Sequence, residues 1–534
     1  MFNPVQPISN NDNRFDVWRK RLGWILTPLL FLIVYFLCSG LEPEGRRMSA
    51  IIAAVATMWI TEIIPLPVSA LLGAVLCVVL GIGDAKTVLV YFADPIVFLF
   101  IGGFMIAKAM MIHRLDRRIA LGFLSIPWIG SSQVRTMAGL GLVTALLSMW
   151  VSNSAVTAMM LPIAVGILGA LHIVHISTRQ VNGNINVQTW PFATGMMLMV
   201  AYAASIGGIG TPVGTPPNLI GIGLIHSATG IEISFFRWMS LTLPLFLVMA
   251  VVLFILLYLL HHVGGGHNKD ILQKEVQSVS AESDNPDANK GSQLLEYIQN
   301  ERKTLGPWTW GQINTLIVFG IAVVFWIMPG IFQLPWFNLP GLARWMNIYL
   351  PESIVAISAA ILLFVLPVRL SQLEFTINWH EAVKIDWGTI LLFGGGLALG
   401  SLMFKTGVAN EMGYSLTKLL GVNTLWPLTG VSIAMAILLS EAASNTASAN
   451  MIIPVVIAIA QAANVSPLPP ALGACLGASF GFMMPVSTPP NAIVYSSGLI
   501  PLPKMITAGI LFDILGLFII WTGLYILCPL LGLI

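Results

Sequence analysis

The chain has 534 residues, of which 57% are hydrophobic and only 9% are charged, whereas an average soluble protein carries about a quarter charged residues. A soluble chain of this length would contain roughly 130 charged residues, but this one has 25 basic and 23 acidic residues. The deficit predicts a membrane protein and excludes a soluble enzyme, a nucleic-acid-binding protein and a disordered scaffold. A net charge of +2 gives no basis for attraction to polyanions.

Residues 1–22 are polar and basic, and the apolar run after them lacks the cleavage site of a signal peptide. We therefore expect residues 1–22 to stay in the cytoplasm and residues 23–47 to hold the first transmembrane helix. A membrane-spanning helix needs about 20 mostly apolar residues. The sequence contains eleven such spans, near residues 23–40, 48–64, 66–83, 95–112, 190–225, 236–261, 312–330, 351–367, 387–404, 470–498 and 505–530.

Four segments depart from a simple span. The spans at 190–225 and 470–498 are too long for single helices, and each contains a Thr-Pro-Pro-Asn motif that predicts a break. The apolar stretches at 136–171 and 426–462 carry polar residues at their middle, which indicates re-entrant hairpins. The predicted fold is an all-α polytopic membrane protein with about eleven transmembrane helices and two re-entrant helical hairpins.

One long hydrophilic stretch, residues 263–306, is rich in Gly, Ser, Asp and Asn. Its composition is typical of a linker. With the N-terminus inside, most Lys and Arg residues, including those of this stretch, fall on the cytoplasmic side, as the positive-inside rule predicts. The linker is therefore predicted to be cytoplasmic and to separate two halves, residues 48–262 and 307–534.

The two halves contain an internal repeat. At one constant offset Ser152-Asn153 matches Ser444-Asn445, and at a second, slightly smaller offset residues 212–218 match residues 485–491. The predicted fourth and ninth spans cross the membrane in opposite directions, so the halves are predicted to be inverted with respect to each other. Inverted repeats with broken helices are the architecture of secondary transporters.

The repeated motifs suit a site for ions. Ser152-Asn153-Ser154 and Ser444-Asn445-Thr446 place hydroxyls and amides at hairpin tips, where they can bond an anion or ligate a hard cation. The helix that begins at each tip also favours negative charge. The paired prolines remove backbone donors and free carbonyls that can ligate Na⁺. Four such breaks converging in the middle of the membrane would make one site.

Other interpretations remain open at this stage. Glu62, Glu441, Asp513 and Lys108 are candidate proton carriers, with structural hydrogen bonding as the alternative. An ATP-driven pump is excluded because the chain contains no Gly-Lys pair. Residues 81–84 spell the Gly-x-Gly-Asp of an intramembrane aspartyl protease, but no Tyr-Asp partner lies within a neighbouring span. A channel would need a continuous polar pore, whereas the polar residues cluster at two tips and two breaks.

These residues resemble those of the divalent anion:sodium symporter (DASS) family, whose members carry dicarboxylates, citrate or sulfate. The likeness covers nearly the whole chain and rests on residues 59–62, 65–67, 148–153 and 441–446 and on both Thr-Pro-Pro-Asn motifs. It implies an elevator-type transporter with a scaffold domain that forms a homodimer and a sliding transport domain. It also implies a multi-pass protein of the bacterial inner membrane, with Na⁺ as the co-transported ion and no organic cofactor.

The same likeness implies the site residues. The substrate carboxylates would meet Asn153, Ser154, Thr215, Asn445, Thr446 and Thr488. One Na⁺ would be held by Ser148, Ser152, Asn153 and the backbone at Gly214. A second Na⁺ would be held by Ser440, Ala443, Asn445 and the backbone at Ser487.

One position departs from the family pattern, because Ser154 stands where the family usually has Thr. The hydroxyl is kept and a methyl group is lost. Clusters of hydroxyls and amides at two facing tips suit two separated carboxylates, and no repeated Arg is present to clamp a tetrahedral anion. The predicted substrate is therefore a C4-dicarboxylate such as succinate, malate or fumarate. A sodium-independent exchanger and a sulfate or citrate symporter of the same family are the alternatives.

Overall fold

A computed structural model describes residues 10–130, 132–177, 191–261 and 286–534, and most of these described residues are helical. Short 3₁₀ turns occur at Val90–Ala93 and Leu370–Gln372. Strands β1 (Pro367–Arg369) and β2 (Glu374–Phe375) form a small antiparallel pair. The helices are α1 (Asn10–Leu37), α2 (Pro43–Thr61), α3 (Leu66–Val79), α4 (Ala85–Leu89), α5 (Pro95–Ile112), α6 (Leu115–Leu124), α7 (Pro127–Gly130), α8 (Gln133–Ser148), α9 (Asn153–Ser177), α10 (Pro191–Ile209), α11 (Pro216–Thr229), α12 (Phe235–Leu260), α13 (Pro286–Lys303), α14 (Trp310–Ile331), α15 (Pro340–Tyr349), α16 (Glu352–Val365), α17 (Trp379–Ala382), α18 (Trp387–Lys405), α19 (Val408–Leu420), α20 (Leu425–Ala442), α21 (Asn445–Ala462), α22 (Leu468–Gly477), α23 (Pro489–Tyr495) and α24 (Leu502–Leu530).

The predicted fold class, an all-α polytopic membrane protein, is confirmed. In the described part of the chain, ten helices are long and apolar enough to cross a membrane, or eleven if α15 and α16, bent by 63°, form one span. The number of spanning helices agrees with the predicted eleven, but the individual helices are partly different from those predicted. Three hairpin arms qualify, whereas α3 has only 14 residues and rises about 21 Å, less than the roughly 30 Å of the hydrocarbon core.

Two helical hairpins lie where polar residues interrupt apolar stretches. Helices α8 and α9 are joined by residues 149–152, and α20 and α21 are joined by Ala443-Ser444. The Ser444 hydroxyl oxygen accepts a hydrogen bond of 3.2 Å from the Ala447 N–H, so it satisfies one of the free donors at the start of α21. A turn of only a few residues leaves the hydroxyl and amide side chains beside the first N–H groups of the returning helix.

Both Thr-Pro-Pro-Asn motifs interrupt apolar segments, as their prolines predict. Helix α10 ends at Ile209 and α11 begins at Pro216, while α22 ends at Gly477 and α23 begins at Pro489. A proline is well placed at the first helical position because the N–H that it lacks would be unpaired there. Helix α10 is buried over its whole length, so its break lies inside the protein, where non-helical backbone is tolerated.

Packing across the two halves brings the hairpins and the breaks together. Helix α9, the second arm of the first hairpin, packs against α23, which follows the second break. In the same way α21, the second arm of the second hairpin, packs against α11, which follows the first break. The second arm of each hairpin therefore contacts the broken helix of the other half, and both hairpins also pack against the broken helix of their own half.

The second part of the predicted linker at residues 263–306 contains a helix. Residues 262–285 lie outside the described residues, but residues 286–303 form α13, which packs against α9 and α6. Ile298 of this helix is fully buried, and Glu301 forms an ion pair of 2.7 Å with Arg117. Composition suggested a free linker because the helix is polar on average and buries only one narrow face.

Candidate ion and substrate site

The two hairpin tips have the same internal hydrogen bond. At the first tip the Ser148 hydroxyl donates to the Asn153 Oδ1 atom over 2.7 Å. At the second tip the Ser440 hydroxyl donates to the Asn445 Oδ1 atom over 2.8 Å. Both serines are fully buried and lie in the last turn of the first arm of their hairpin, and both asparagines are half-buried and begin the second arm. Residues at corresponding positions of the sequence repeat therefore form the same hydrogen bond in both halves.

The two breaks are also held alike, by the Asn of each Thr-Pro-Pro-Asn motif. The fully buried Asn218 donates its Nδ2 hydrogens to the carbonyl oxygens of Gly208 and Thr211, over 2.8 and 2.7 Å. Asn491 makes the corresponding two bonds in the second half, over 2.9 and 3.0 Å. Each amide therefore pairs two backbone carbonyls in and beside the interrupted part of the helix. The sequence analysis gave these asparagines no role, although their repetition in both halves was the available signal.

Each hairpin tip lies directly against the break of its own half. A Cβ atom added to Gly208 would lie 2.5 Å from the Asn153 Oδ1 atom, and one added to Gly481 would lie 3.3 Å from the Asn445 Oδ1 atom. Gly208 and Gly481 are related by the same offset as the two Thr-Pro-Pro-Asn motifs. The first of these glycines is required by the close approach of the amide, since real Cβ atoms do not come within 3.0 Å of a neighbour.

Most of the first predicted Na⁺ set is gathered at the first tip. Gly214 lies against the tip, because a Cβ added there would be 2.9 Å from the Met149 carbonyl oxygen. Ser148 and Asn153 are hydrogen-bonded to each other as described above. Ser152 lies on the same turn with an exposed side chain.

Most of the second predicted Na⁺ set is gathered in the same way. The Ser440 hydroxyl has the Ala478 carbonyl oxygen at 2.9 Å as a second acceptor. Ser487 and Asn445 both lie against Gly481. Ala443 is 5% exposed and forms the turn between α20 and α21. Serine hydroxyls, an asparagine amide and backbone carbonyls therefore meet at one point.

Glu441 ties the second tip to the second break. Its Oε1 atom accepts a hydrogen bond from the Met483 N–H over 2.8 Å, and its Oε2 atom accepts one from the Ser487 hydroxyl over 2.6 Å. The sequence left Glu441 open between a proton carrier and a structural acceptor, and in the structure it accepts these two hydrogen bonds. The first half makes the equivalent connection with backbone, since the Thr211 hydroxyl donates to the Met149 carbonyl.

The remaining predicted substrate residues share one structural feature, which is a position at a helix N-terminus. Ser154 and Thr446 lie in the first turn of α9 and α21, and both are half-buried. Thr215 and Thr488 immediately precede α11 and α23, and both are almost fully buried. The first turns of α9 and α21 carry N–H groups and a partial positive charge, whereas α11 and α23 each begin with two prolines, which have no N–H. The four hydroxyl groups therefore provide donors for an anion without a charged side chain.

The part of the chain that the structure describes contains no group of three or more His, Cys, Asp and Glu side chains that could hold a metal ion. The Ser-Asn pairs at the two tips offer neutral oxygens of hydroxyls, amides and carbonyls to a cation. Such hard ligands suit alkali and alkaline-earth cations.

The sequence profile described as "Sodium:sulfate symporter transmembrane region" matches residues 19–533 of this chain. The chain belongs to the sodium:sulfate symporter family. This confirms the resemblance to the divalent anion:sodium symporters that the paired Ser-Asn and Thr-Pro-Pro-Asn motifs indicated. The chain is therefore a multi-pass transport protein of the plasma membrane and not an enzyme.

Two relatives cover nearly the whole length. The sodium-dependent dicarboxylate transporter SdcS of Staphylococcus saprophyticus is 33% identical over 512 residues, which cover 95% of this chain and 91% of the relative. The protein of the same name from Staphylococcus aureus is 32% identical over 511 residues, with the same coverage. Among solved structures, the YdaH transporter of Alcanivorax borkumensis aligns with a TM-score of 0.49 and 12% identity, over 82% of this chain and 86% of that one.

Family membership overturns the alternative of an intramembrane aspartyl protease, and the geometry of its candidate residue gives the reason. Asp84 is an exposed cap of α4, and its Oδ1 atom accepts a hydrogen bond of 2.7 Å from the Thr87 N–H. Hydrogen bonds from the Thr87 side chain and backbone, with a smaller effect of Lys405, hold the pKa of Asp84 below its ordinary value. An exposed carboxylate of this kind cannot share a proton with a second one.

Two other candidates for proton transfer lie away from the tips. Glu62 follows the end of α2 and accepts a hydrogen bond of 2.9 Å from Arg19. This ion pair joins α1 to α2 at the ends of both helices that are predicted to be cytoplasmic, which is a structural role. Lys108 is a half-buried residue of α5, a helix that packs against α16 and is not part of either hairpin.

Proposed function

We propose that this chain couples inward Na⁺ flow to the uptake of a C4-dicarboxylate such as succinate, malate or fumarate. The observation that supports it is the duplicated arrangement of a Ser-Asn hairpin tip against a glycine of a broken helix. Both copies use only neutral oxygen and nitrogen groups. The relatives named as sodium-dependent dicarboxylate transporters support the same choice of ion and substrate.

Each tip would bind one Na⁺. The hydroxyl and amide oxygens at a tip, with carbonyls of the adjacent break, supply hard ligands at the distance of a hydrogen bond from one another. The first site is assigned to Ser148, Ser152, Asn153 and the backbone at Gly214. The second site is assigned to Ser440, Ala443, Asn445 and the backbone at Ser487.

The dicarboxylate would lie between the four helix N-termini described above. One carboxylate would bond to groups of the first half and the other to groups of the second half, which suits a dianion with separated charges. Because Ser154 lacks a methyl group that the family usually has here, the pocket would be slightly wider at this point. The assigned substrate residues are Asn153, Ser154, Thr215, Asn445, Thr446 and Thr488.

Coupling to Na⁺ follows from the electrostatics of such a pocket. Moving a dianion into the middle of a bilayer is very unfavourable unless opposite charges accompany it. None of the residues assigned to the substrate or to Na⁺ carries a positive charge. Cations that bind at the tips would therefore be needed before the dianion can bind with useful affinity.

An elevator movement would carry this site across the membrane. The transport domain would contain the two hairpins and the two broken helices, which pack against each other across the halves. A scaffold formed by the remaining membrane helices would dimerise with a second copy of the chain. In this scheme the halves act as inverted repeats, and the duplicated bonds at corresponding positions of the two halves support that relationship.

The test is uptake of labelled succinate into proteoliposomes with Na⁺ or choline outside. We expect uptake only with Na⁺, and no uptake by liposomes without protein. Uptake that persists in choline and requires an anion on the opposite side would instead establish a sodium-independent exchanger.

Sulfate is the second candidate substrate, because the description of the matching family names it. A sulfate or citrate symporter would use the same Na⁺ sites. Competition decides between them: we expect unlabelled succinate, malate and fumarate to inhibit labelled succinate uptake at lower concentrations than sulfate or citrate. Stronger inhibition by sulfate would change the substrate assignment but not the coupling ion.

A further inference from the structure

The segment between α14 and α16 presents large apolar side chains on the protein surface. It consists of a turn, residues 332–339, and the ten-residue helix α15. The turn is closed by its backbone, because the Leu339 N–H donates to the Phe332 carbonyl oxygen over 2.9 Å. At the tip of this turn the Trp336 side chain is 93% exposed, and the next side chain, Phe337, is exposed as well. Contact of such rings with water is unfavourable, so the turn requires an apolar partner.

Helix α15 is amphipathic, and only a narrow part of it touches the protein. Ala343 and Met346 are its only buried residues, and the helix packs on α14. Its other apolar side chains are all exposed and follow the three- and four-residue spacing of one helix face; they are Leu342, Trp345, Ile348 and Tyr349. The polar residues Arg344 and Asn347, three positions apart, form the opposite side, where Asn347 lines a cavity together with Gln333.

The lengths of the neighbouring helices place α15 at the edge of the membrane. Helix α14 has 22 residues and rises about 33 Å, enough to cross a hydrocarbon core of roughly 30 Å. Helix α16 has only 14 residues and rises about 21 Å, which leaves about 9 Å of the core uncrossed. Because α15 is bent by 63° relative to α16, its own rise of about 15 Å adds about 7 Å along the α16 axis. Helix α15 therefore descends obliquely through the outermost part of the core.

The composition of the segment indicates lipid rather than water around it. Among residues 332–351 only Arg344 is charged. Tryptophan and tyrosine are enriched where membrane meets water, and amphipathic helices lie there with the apolar face buried about 5 to 10 Å deep. Both neighbouring helices also expose apolar side chains, such as Val324 and Ile354, so lipid contact continues from them onto α15. Helix α14 begins beside the cytoplasmic linker of the predicted topology, so α15 lies at the outer surface.

We propose that α15 and the turn before it form an anchor in the outer surface of the membrane, with phospholipid as their partner. The rings of Trp336, Phe337, Trp345 and Tyr349 lie at the boundary between headgroups and acyl chains. The anchor holds the outer ends of α14 and α16 at a fixed depth. It does so whatever the substrate or the coupling ion, so the inference does not depend on the proposed function.

Spin labels in phospholipid vesicles test the anchor. The background is Cys38→Ser, because Cys38 is half-buried and the three other cysteines are fully buried. A nitroxide is attached at Trp345→Cys on the apolar face or, as a matched control on the opposite side of the same helix, at Asn347→Cys. The full-length protein is reconstituted in phosphatidylethanolamine and phosphatidylglycerol. At position 345 we expect more collisions with O₂, which concentrates in lipid, than with a water-soluble nickel chelate, and at position 347 the reverse.

Two results would overturn the proposal. A label at position 345 that meets the nickel chelate more often than O₂ would show that this face lies in water. A label that neither reagent reaches, with dipolar broadening that disappears on dilution with unlabelled protein, would show that a second copy of the chain covers it. Leu342→Cys, on the same face, repeats the measurement where Trp345→Cys is not recovered as folded protein on gel filtration.

Fluorescence tests the turn without a label. Trp336→Phe keeps an aromatic ring and removes one indole. In ordinary phospholipid we expect the wild type to be brighter than this variant. In phospholipid brominated in the upper part of its acyl chains, that difference in emission should be largely lost, because bromine quenches an indole in contact with it. A difference in emission that is equal in both lipids would overturn the placement of the turn.

Discussion

The two tip asparagines allow the sharpest test of the site, because the structure predicts that they differ in one respect. Asn153→Ala and Asn445→Ala each remove an amide that is proposed to contact both Na⁺ and the dianion. Losing one charge-assisted hydrogen bond costs about 1.5 to 3 kcal/mol, which corresponds to roughly 10- to 150-fold in affinity. We expect both variants to raise the half-saturating concentrations of Na⁺ and succinate by this factor.

The effect on folding should be unequal. In Asn153→Ala the fully buried Ser148 hydroxyl loses the acceptor at 2.7 Å, and an unsatisfied buried donor costs about 1 to 3 kcal/mol. In Asn445→Ala the Ser440 hydroxyl keeps the Ala478 carbonyl oxygen at 2.9 Å. Asn153→Ala should therefore unfold at a lower temperature than Asn445→Ala.

The assay combines proteoliposome uptake at varied Na⁺ and succinate with thermal unfolding of the detergent-solubilised protein. The exposed Asn423, between α19 and α20, provides a matched control, since Asn423→Ala should change neither property. Near-normal half-saturation in either tip variant would refute the site. Equal unfolding temperatures for the two tip variants would refute the reasoning about their hydrogen bonds.

Three further predictions test the breaks, the linker and the rejected protease motif. Asn491→Ala removes two buried hydrogen bonds of 2.9 and 3.0 Å and should destabilise the protein by about 1 to 3 kcal/mol, measured as a lower unfolding temperature. Deletion of residues 263–285 should leave succinate uptake intact. In contrast, Ile298→Asp should unfold the packed helix α13 and reduce the yield of folded protein on gel filtration. Loss of uptake in the deletion variant, or a normal yield of Ile298→Asp, would show that the segment is not divided into a dispensable part and a packed helix. Asp84→Asn should leave succinate uptake unchanged, and a loss of uptake would reopen the role of that carboxylate.

The sequence was sufficient to place the helix breaks, because prolines and polar triplets act locally. Both broken helices resume at the first proline of Thr-Pro-Pro-Asn, and both hairpins turn at Ser-Asn. The extent of the membrane helices was harder to predict, since apolar composition does not distinguish lipid contact from protein contact. Helix α10, which is buried throughout, and α1, which is mostly exposed, have the same mean hydropathy of 1.6.

Interactions between distant segments could not be read from the sequence. Which carbonyls Asn218 and Asn491 bind depends on how the chain folds back across each break. Glu441 and Ser487 are far apart in the sequence, and only the packing of the second tip against the second break brings them together. Helix α13 was missed for a related reason, because a short polar helix is stabilised by the surface on which one face packs rather than by its own composition.

The number of Na⁺ ions that accompany the dianion leads to a prediction about voltage. Two Na⁺, one at each proposed tip site, would only balance the charge of a dianion, and each further Na⁺ would carry one net positive charge inward. An inside-negative potential would favour that movement by about 2.3 kcal/mol per 100 mV, which is roughly 50-fold in accumulation. We expect an inside-negative K⁺ and valinomycin potential to raise the accumulation of labelled succinate in proteoliposomes when Na⁺ is present outside. Uptake that requires Na⁺ but does not respond to the potential would show that only two Na⁺ move with each dianion.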